Sequence, residues 1–413
     1  MNHNKLICLV SIFSLLVSSG CKEDGNDTCE LGARDCPCDE SDKCAPGLVC
    51  DESSICVDDR RSIGDAGPDT SDPDNPENTD PENETEYSFI YEVPLRERIV
   101  DSIYTADPSA HVFEGKLYVY PSHDQDNANV AGTYNMVDYH VISLSRENAF
   151  VDHGKILALE DVPWARDYAW APDAAYRDGA YYFYFPARDH QGIFRIGVAT
   201  SDSPEGPFTP EDDPIEGSYS MDPAVFIDDD GQAYMYFGGL WGGQLECWES
   251  GSYKQSDCEE FSFFGAGTGD AFGPMVARLR DDMKQFEGET REISIVDSSG
   301  TPLQKGDEQR RFFEGAWMHK YNDTYYLSYS TGTTCLLVYA TGDNPLGPFT
   351  YRGVLLPNHN RGWTTHHSVV AFLDNWYLFY HDNSCSGDDH QRCVKVADMH
   401  YESDGSIKTV SLH

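Results

Sequence analysis

The chain repeats one short pattern of apolar and polar positions five times. Each copy opens with an acidic residue or a histidine, continues as a short apolar run, crosses a polar turn and ends in an alternating aromatic run. The copies are DPSAHVFEGKLYVY (107–120), DAAYRDGAYYFYF (173–185), DPAVFIDDDGQAYMYF (222–237), EGAWMHKYNDTYYLSY (314–329) and HSVVAFLDNWYLFY (367–380). A period of two, interrupted by a turn rich in Gly, Asn or Asp, predicts a β-hairpin in every copy.

The spacing of the copies predicts how the hairpins assemble. Successive copies begin about 50 residues or more apart, which is room for a sheet of about four strands. One such unit cannot bury its apolar face alone, so the units must stack against each other. Closing them into a ring leaves no long exposed sheet edge. The sequence therefore predicts an all-β fold, a five-bladed β-propeller.

The residues that open the five copies are the first candidates for chemistry. The innermost strand of each propeller blade lines the central channel, so the openers are expected to converge near the axis. They are Asp107, Asp173, Asp222, Glu314 and either His366 or His367. Carboxylates and a histidine that converge from distant sequence positions indicate a site.

Net charge and composition restrict the classes of molecule that the protein can be expected to bind. The 413 residues carry a formal net charge of -42, which argues against nucleic-acid binding because phosphate contacts need clustered Lys and Arg. Such a charge is typical of a solvated, exported protein. Aromatic residues make up 13% of the chain, and composition alone does not separate core aromatics from sugar-binding platforms.

The N-terminus predicts export. Residues 1–20 combine one Lys, an apolar run and small residues, as in a signal peptide that is too short to span a bilayer. The sequence LLVSSGC resembles a bacterial lipobox with Cys21 as the lipidated residue, although Ser18 replaces the usual Leu. We expect a bacterial outer-membrane or cell-surface lipoprotein that contacts the membrane only through an N-terminal lipid anchor. Ordinary cleavage and release, which gives a secreted protein, is the alternative.

Two segments separate this signal from the propeller, which is expected to span residues 87–413. Residues 21–57 form a Cys-rich module whose six closely spaced cysteines imply up to three disulfides of undetermined pairing, in preference to a zinc knot. Residues 58–86 are rich in Pro, Asp, Glu and Asn and almost free of apolar residues, which predicts a disordered acidic linker. Within the propeller, Cys247 with Cys258 and Cys385 with Cys393 flank short loops and are candidate disulfides, which leaves Cys335 for a buried strand position.

Five motifs in order carry a resemblance to a known family. They are Asp107-Pro108, Trp170-Ala171-Pro172-Asp173, Met221-Asp222-Pro223-Ala224-Val225-Phe226, Glu314-Gly315-Ala316-Trp317 and His366-His367-Ser368-Val369. Together they resemble glycoside hydrolase family 43. The resemblance implies a five-bladed propeller and an inverting hydrolase that acts on arabinose- or xylose-containing glycans.

The same resemblance assigns roles to three carboxylates. It implies that Asp107 is the general base, that Glu314 is the general acid, and that Asp222 tunes and orients the acid. Inversion requires an acid and a base on opposite faces of the sugar, about 6.5–9.5 Å apart. An acid that is protonated near neutral pH needs a raised pKa, which burial or a neighbouring carboxylate provides. Asp173 corresponds to a structural position and is left out of the catalytic set.

The remaining candidates concern a metal and the sugar. His366 resembles a family histidine that lies beside a hydrated metal, often calcium, at the propeller centre; a hydrogen-bonded core histidine is the alternative. Ca²⁺ prefers oxygen ligands, so a neutral imidazole beside mostly water ligands would be unusual for this ion, and the metal is a hypothesis. Arg392 matches an arginine that donates to sugar hydroxyls. Trp170 and Trp241 are candidate sugar platforms, or equally core residues.

The function expected from the sequence is an α-L-arabinofuranosidase or β-xylosidase that releases arabinose or xylose from hemicellulose or pectin side chains. An endo-arabinanase is the nearest variant, and the insert Leu240–Thr268 is placed to wall off one side of the site. A non-catalytic surface glycan-binding propeller, and a scaffold lipoprotein that acts through its Cys-rich module, are the alternatives from other classes.

Overall fold

The structure is a computed structural model. It describes residues 48–50, 56–58, 93–95, 98–126, 134–249, 251–260, 268–358, 362 and 364–411. The chain divides into two compact units, one of them Ser11–Ser88 and the other containing Phe89–His413. In the first unit, β1 (Leu48–Cys50) pairs antiparallel with β2 (Cys56–Asp58). The predicted signal peptide, the lipobox at Cys21, the acidic linker and most of the Cys-rich module lie outside the described residues.

The second unit contains five larger sheets that follow one another along the chain. The strands of the first two sheets are β3 (Tyr104–Phe113), β4 (Lys116–Asp124), β5 (Asp138–Leu144), β6 (Phe150–Ala158), then β7 (Ala165–Asp167), β8 (Asp173–Arg177), β9 (Ala180–Asp189), β10 (Phe194–Ser201) and β11 (Thr209–Pro210). The third sheet contains β12 (Ala224–Ile227), β13 (Ala233–Phe237), β16 (Met275–Leu279) and β17 (Phe286–Glu292). The fourth contains β18 (Ile295–Val296), β19 (Glu314–Tyr321), β20 (Thr324–Ser330), β21 (Leu337–Gly342) and β22 (Phe349–Leu356), and the fifth β23 (His367–Phe372), β24 (Asn375–Asp382) and β25 (Cys393–Met399). The strand pairs of these five sheets are antiparallel except for the parallel pair of β18 and β22.

The sheets are arranged as a ring. The first long strand of each sheet contacts that of the next, in the order β3, β8, β12, β19 and β23, and β23 returns to β3. Each of these strands is also the first arm of one of the five repeated hairpins. The predicted five-bladed β-propeller and the hairpin in every repeat are therefore confirmed.

Turn chemistry explains why the hairpins close where they do. The first hairpin turns at Glu114 and Gly115, with φ of 51° and 75°, and the second at Asp178 and Gly179, with φ of 53° and 85°. Two successive positive φ values define the turn whose twist matches that of paired strands, and Gly accepts them without a steric penalty.

The ring closes between the fifth sheet and the start of the propeller. The backbone N–H of Ile99 donates to the carbonyl of Val394 at 3.0 Å, and that of Thr105 donates to the carbonyl of Arg392 at 2.9 Å. The N–H of Ala110 on β3 donates to Oγ of Ser368 on β23 at 3.0 Å. These bonds supply the edge of the three-stranded fifth sheet with partners from the beginning of the domain, so neither chain end leaves a bare strand edge there.

Aromatic side chains fill the space between sheets. Phe183 and Phe185 on β9 are fully buried, and Trp164 stacks on Phe185 with ring centroids 5.9 Å apart. Gly197 on the neighbouring strand allows this contact, because a Cβ there would lie 2.5 Å from Phe185 and 2.7 Å from Trp164. The 13% aromatic content of the chain thus serves the core at these positions.

The long connection between β13 and β16 contains short elements that do not belong to the five main sheets. It contains β14 (Trp248–Glu249), β15 (Ser252–Tyr253) and α1 (Gln255–Glu260).

The expected disulfides Cys247–Cys258 and Cys385–Cys393 are both formed. Cys335 is buried as expected, but it lies in the turn between β20 and β21 and not in a strand. No helix of the described residues has the length and apolar character needed to cross a bilayer.

Candidate active site

A cavity of about 160 Å³ is where four of the repeat openers meet. Its wall contains Asp107, Tyr134, Met136, Trp170, Ala171, Met221, Asp222, Leu240, Trp241, Gly242, Phe313, Glu314, Thr364, His366 and Arg392. All seven residues that the sequence singled out therefore lie around one space, although they come from all five sheets or the loops that precede them. The expectation of convergence is met for every opener of the repeats except Asp173.

The carboxylate of Asp173 makes its hydrogen bonds inside the protein and is not among the groups that line the cavity. Its side chain is fully buried, and its two carboxylate oxygens accept hydrogen bonds from Oγ of Ser109 at 2.5 Å and from the N–H of Val225 at 2.5 Å. His111 Nε2 lies 2.6 Å from the same carboxylate. These contacts tie β8 to β3 and β12, the neighbouring inner strands, which is the structural role expected for this position.

Backbone irregularities aim two of the carboxylates. Asp107 has φ of 49° and lies in a register shift between Ala106 and Ser109 on β3, and Asp222 has φ of 56° just before β12. A bulge redirects a side chain that a regular strand would point elsewhere. Left-handed backbone at a non-glycine residue persists only where its surroundings enforce it, and such positions cluster at functional sites.

Asp107 is held as a carboxylate. Ser122 Oγ donates to its Oδ2 at 2.5 Å, Arg392 Nη1 donates to its Oδ1 at 3.3 Å, and its own N–H donates to Nδ1 of His381 at 2.8 Å. Burial by itself raises the pKa of Asp107, but the charge of Arg392, the His381 and His366 rings and the Ser122 bond together lower the pKa to about 2. Asp107 can accept a proton only if it is ionised beforehand, and this environment provides that state.

Arg392 is locked by a residue that sequence reasoning missed, Asp124. Arg392 Nε and Nη2 donate to the two oxygens of Asp124 at 2.9 and 2.8 Å, and Arg392 Nη1 also donates to Thr364 Oγ1 at 2.9 Å. The guanidinium lies over the ring of Tyr134, 5.0 Å from its centroid. These contacts direct its N–H groups at protein partners, so the geometry makes Arg392 a clamp on Asp107, and its donation to sugar hydroxyls stays a prediction.

The pKa values of Glu314 and Asp222 are shifted in the direction opposite to that of Asp107. Burial, followed by the charge of Asp107, raises the pKa of Glu314 to about 8. Burial, followed by the charges of Glu314 and Asp107, raises the pKa of Asp222 well above its usual range. The N–H of Gly315 donates to Asp222 Oδ2 at 3.0 Å, which links the carboxylate of one residue to the backbone of the other. The pair therefore holds a proton at neutral pH while Asp107 is ionised, which is the division that acid–base catalysis requires.

His366 is the histidine that reaches the cavity. Both of its ring nitrogens are buried, and neither has a hydrogen-bond partner among the described residues; Nε2 lies 3.9 Å from Asp222 Oδ2. Gly315 lies against this ring, because a Cβ there would be 2.6 Å from the His366 Cδ2. His367 points into the core instead, with Nε2 2.6 Å from Oγ of Ser328.

The side chains around His366 limit how a metal ion could be bound there. Within the described part of the chain, no three His, Cys, Asp or Glu ligand atoms gather at His366. An ion at this point would take an imidazole nitrogen from His366, with water or uncharged protein oxygens as its remaining ligands. The Ca²⁺ expected from the sequence therefore stays a prediction at this position.

Aromatic residues form part of the cavity wall. Trp170 Nε1 donates to the carbonyl of Tyr134 at 2.6 Å, which fixes the indole edge. Trp241 meets Phe313 edge to face at 5.0 Å. Its backbone N–H lies 3.0 Å from both carboxylate oxygens of Glu246, a second residue that sequence reasoning missed. Leu240 and Trp241 open the insert Leu240–Thr268, so the start of this insert lines the cavity.

Asp124 and His381, which sequence reasoning did not single out, had only weak signals in the sequence. Asp124 follows Ser122 by two positions and so lies on the same face of β4, and His381 lies on the last long strand of the fifth repeat. Their partners are distant in sequence, and only the ring brings them together. Burial, followed by the charge of Arg392, lowers the pKa of His381 to about 3, so this ring stays neutral and accepts the Asp107 N–H.

Comparison with known proteins agrees with this geometry. The sequence profile of glycosyl hydrolases family 43 matches residues 104–407. A xylosidase/arabinosidase 43A of Humicola insolens is 58% identical over 325 residues, which covers 75% of this chain and 98% of that protein. A xylosidase/arabinosidase of Bacteroides ovatus is 51% identical and covers 76% and 96%.

A solved structure shares the fold at similar identity. It is CoXyl43, a GH43 β-xylosidase/α-arabinofuranosidase from a compost microbial metagenome in complex with xylotriose, in a calcium-free form; it has 55% identity and a TM-score of 0.72, and covers 77% of this chain and 98% of its own. The profile spans all five sheets that enclose the cavity. The chain belongs to glycosyl hydrolase family 43.

Proposed function

We propose that this protein is an exo-acting β-xylosidase/α-L-arabinofuranosidase, which releases a terminal xylose or arabinose from xylan-type oligosaccharides with inversion. One observation carries the proposal: a single cavity holds an ionised Asp107 and a protonated Asp222–Glu314 pair. The Humicola and Bacteroides relatives are named xylosidase/arabinosidases and CoXyl43 binds xylotriose, which supports pentose-containing substrates.

The chemistry divides between the carboxylates. Glu314 gives its proton to the leaving oxygen as the glycosidic C–O bond breaks. Asp107 takes a proton from the water that attacks the anomeric carbon from the opposite face, so the product has inverted configuration. Asp222 keeps a proton in the pair and holds the backbone beside Glu314 through its bond from Gly315. Arg392 and Ser122 keep Asp107 ionised and oriented.

The wall of the cavity supports exo action. Trp170 and Trp241 present indole surfaces that suit the apolar face of a sugar ring. The start of the insert closes one side of a space of about 160 Å³, which suits one sugar unit at the reacting position better than an open groove for a polymer.

The test is a substrate panel with matched variants. We expect turnover of nitrophenyl β-xyloside and nitrophenyl α-L-arabinofuranoside, and release of single pentoses from xylo-oligosaccharides. Short oligomers released from linear arabinan, with no activity on the nitrophenyl glycosides, would establish an endo-arabinanase instead. If wild type and Glu314→Gln bind the sugar equally and neither turns it over, the protein is a binding propeller.

We also propose that a hydrated Ca²⁺ lies beside His366, which contributes the one protein nitrogen. Such an ion would supply positive charge and ordered water near the carboxylates. The two ring nitrogens of His366, which have no hydrogen-bond partner in the described part of the chain, support this position. The related CoXyl43 was crystallised in a calcium-free form. Calorimetric titration of EDTA-treated protein is expected to show one Ca²⁺ site that His366→Gln weakens at least tenfold. Equal binding by both proteins would refute the assignment.

We propose, finally, that the protein is exported and anchored by a lipid on Cys21, as the lipobox-like sequence suggests. Expression of the full chain with metabolic labelling by an alkyne fatty acid is the test. Label in wild type and none in Cys21→Ala is expected; unlabelled, soluble wild type would favour ordinary secretion.

A further inference from the structure

A second cluster of ligand-type side chains lies on the first sheet, on the face away from the cavity. Ser122 and Asp124 on β4 point toward the cavity, where they bind Asp107 and Arg392. His123 lies between them, so its side chain points to the opposite face of the sheet. Asp138 and His140 on the paired strand β5 meet it there. One ligand atom from each of these three residues lies within 4.8 Å of the others.

The second shell of this cluster has the form found behind metal-ligating histidines. His140 Nδ1 lies 2.9 Å from Asp152 Oδ1 on β6, and that carboxylate is held by the N–H of Gly154 at 2.8 Å and by Ser102 Oγ at 3.1 Å. An aspartate at Nδ1 fixes the tautomer that carries its proton there, so the Nε2 of His140 keeps a free lone pair. A carboxylate that orients a histidine in this way typically supports a metal ligand.

The first histidine adds an independent observation. His123 Nδ1 lies 2.6 Å from Asp138 Oδ1, whereas its Nε2 is buried and has no hydrogen-bond partner among the described residues. A buried nitrogen without a partner is unfavourable unless a ligand satisfies it. The side chains of His123 and His140 are each 13% exposed, and that of Asp138 is 18% exposed. The cluster is therefore shielded but reachable from solvent.

We propose that His123, Asp138 and His140 form a divalent metal site of the zinc class, with water as the fourth ligand. Two imidazoles and one carboxylate suit a borderline ion such as Zn²⁺ and disfavour Ca²⁺, which selects oxygen. Zinc bonds are about 2.0–2.2 Å long, so the three side chains must come closer to a common point than their present spacing of up to 4.8 Å.

The site stabilises the sheet and does not take part in the reaction. It links the two strands directly behind Ser122 and Asp124, the residues that hold Asp107 and Arg392. Without a metal, the His–Asp pairs would be ordinary hydrogen bonds, and His123 Nε2 would have no partner among the residues that the structure describes.

The experiment measures zinc on the oxidised full chain after EDTA treatment and desalting. We expect elemental analysis after zinc loading to give one more tightly held zinc per chain in wild type than in His140→Gln or Asp138→Asn. Zinc at about 100 times its Kd is expected to raise the wild-type Tm by about 4 °C, with no comparable rise from Ca²⁺. His153→Gln, which changes a histidine of the same sheet outside the cluster, retains both effects.

Two further measurements keep the outcome decisive. The variants must match the Tm of metal-free wild type, which shows that they are folded. Asp152→Asn, which keeps all three ligands, is expected to weaken zinc binding 10–100-fold. Equal zinc content in wild type and in both ligand variants would overturn the proposal, as would an equal stabilisation by Ca²⁺.

Discussion

The raised pKa of Glu314 predicts the alkaline limit of activity. Its pKa is shifted from 4.5 to about 8 by burial and by the charge of Asp107, which corresponds to about 5 kcal/mol in favour of the protonated form. The pKa of Asp107 is lowered to about 2, so the base stays ionised across the neutral range. The profile of kcat/KM against pH should therefore be flat near neutrality, half-maximal near pH 8 and tenfold lower for each further pH unit.

The assay compares two leaving groups between pH 5 and pH 10. With nitrophenyl β-xyloside the alkaline limb depends on the Glu314 proton. A dinitrophenyl glycoside needs little acid assistance, so its rate should fall less above pH 8 and should be less affected by Glu314→Gln. An unchanged rate at pH 10 with the first substrate, or equal alkaline limbs for the two, would refute the assignment of Glu314 as the acid.

Unfolding must be separated from titration in this experiment. The folded protein binds the Glu314 proton more tightly than the unfolded chain does. The contribution of Glu314 to stability is therefore complete below about pH 4.5 and is lost as the pH rises through about 8. Circular dichroism at each pH, followed by return to pH 7, identifies loss of activity that is reversible and belongs to the folded enzyme.

The remaining predictions concern the groups around the carboxylates. Asp124→Asn removes the bidentate partner of buried Arg392. We expect the unfolding free energy to fall by about 3–5 kcal/mol in a denaturant titration and kcat/KM to fall about 100-fold. Wild-type values of both quantities would refute the role of Arg392 as a clamp on Asp107. Asp107→Asn should lower kcat by a factor of about 100–10,000 with little change in KM, since the loss is confined to proton transfer. Glu246→Ala removes the acceptor for the Trp241 N–H and should raise KM more than it lowers kcat, whereas Glu246→Gln keeps an acceptor and should stay near wild type; identical KM values for all three proteins would contradict this positioning role.

The local pattern of the sequence was sufficient to predict the fold. Hairpin periodicity and turn residues are short-range properties, and five copies of one hairpin have few ways to bury their apolar faces. The ring also implied that residues opening each repeat, such as Asp107 and Glu314, would meet. Both disulfides in the propeller followed from local spacing as well.

The tertiary structure decided what those residues can do. The pKa values of Asp107 and Glu314 move in opposite directions because one contacts Arg392 and Ser122 while the other is buried beside a second carboxylate. The repeat pattern alone does not separate these two acidic residues; before the structure, only the family resemblance distinguished the base from the acid. Solvation and charge at a site depend on neighbours that are hundreds of residues away along the chain, as Asp107 and Arg392 are, and only the closed ring places those neighbours within a few ångströms.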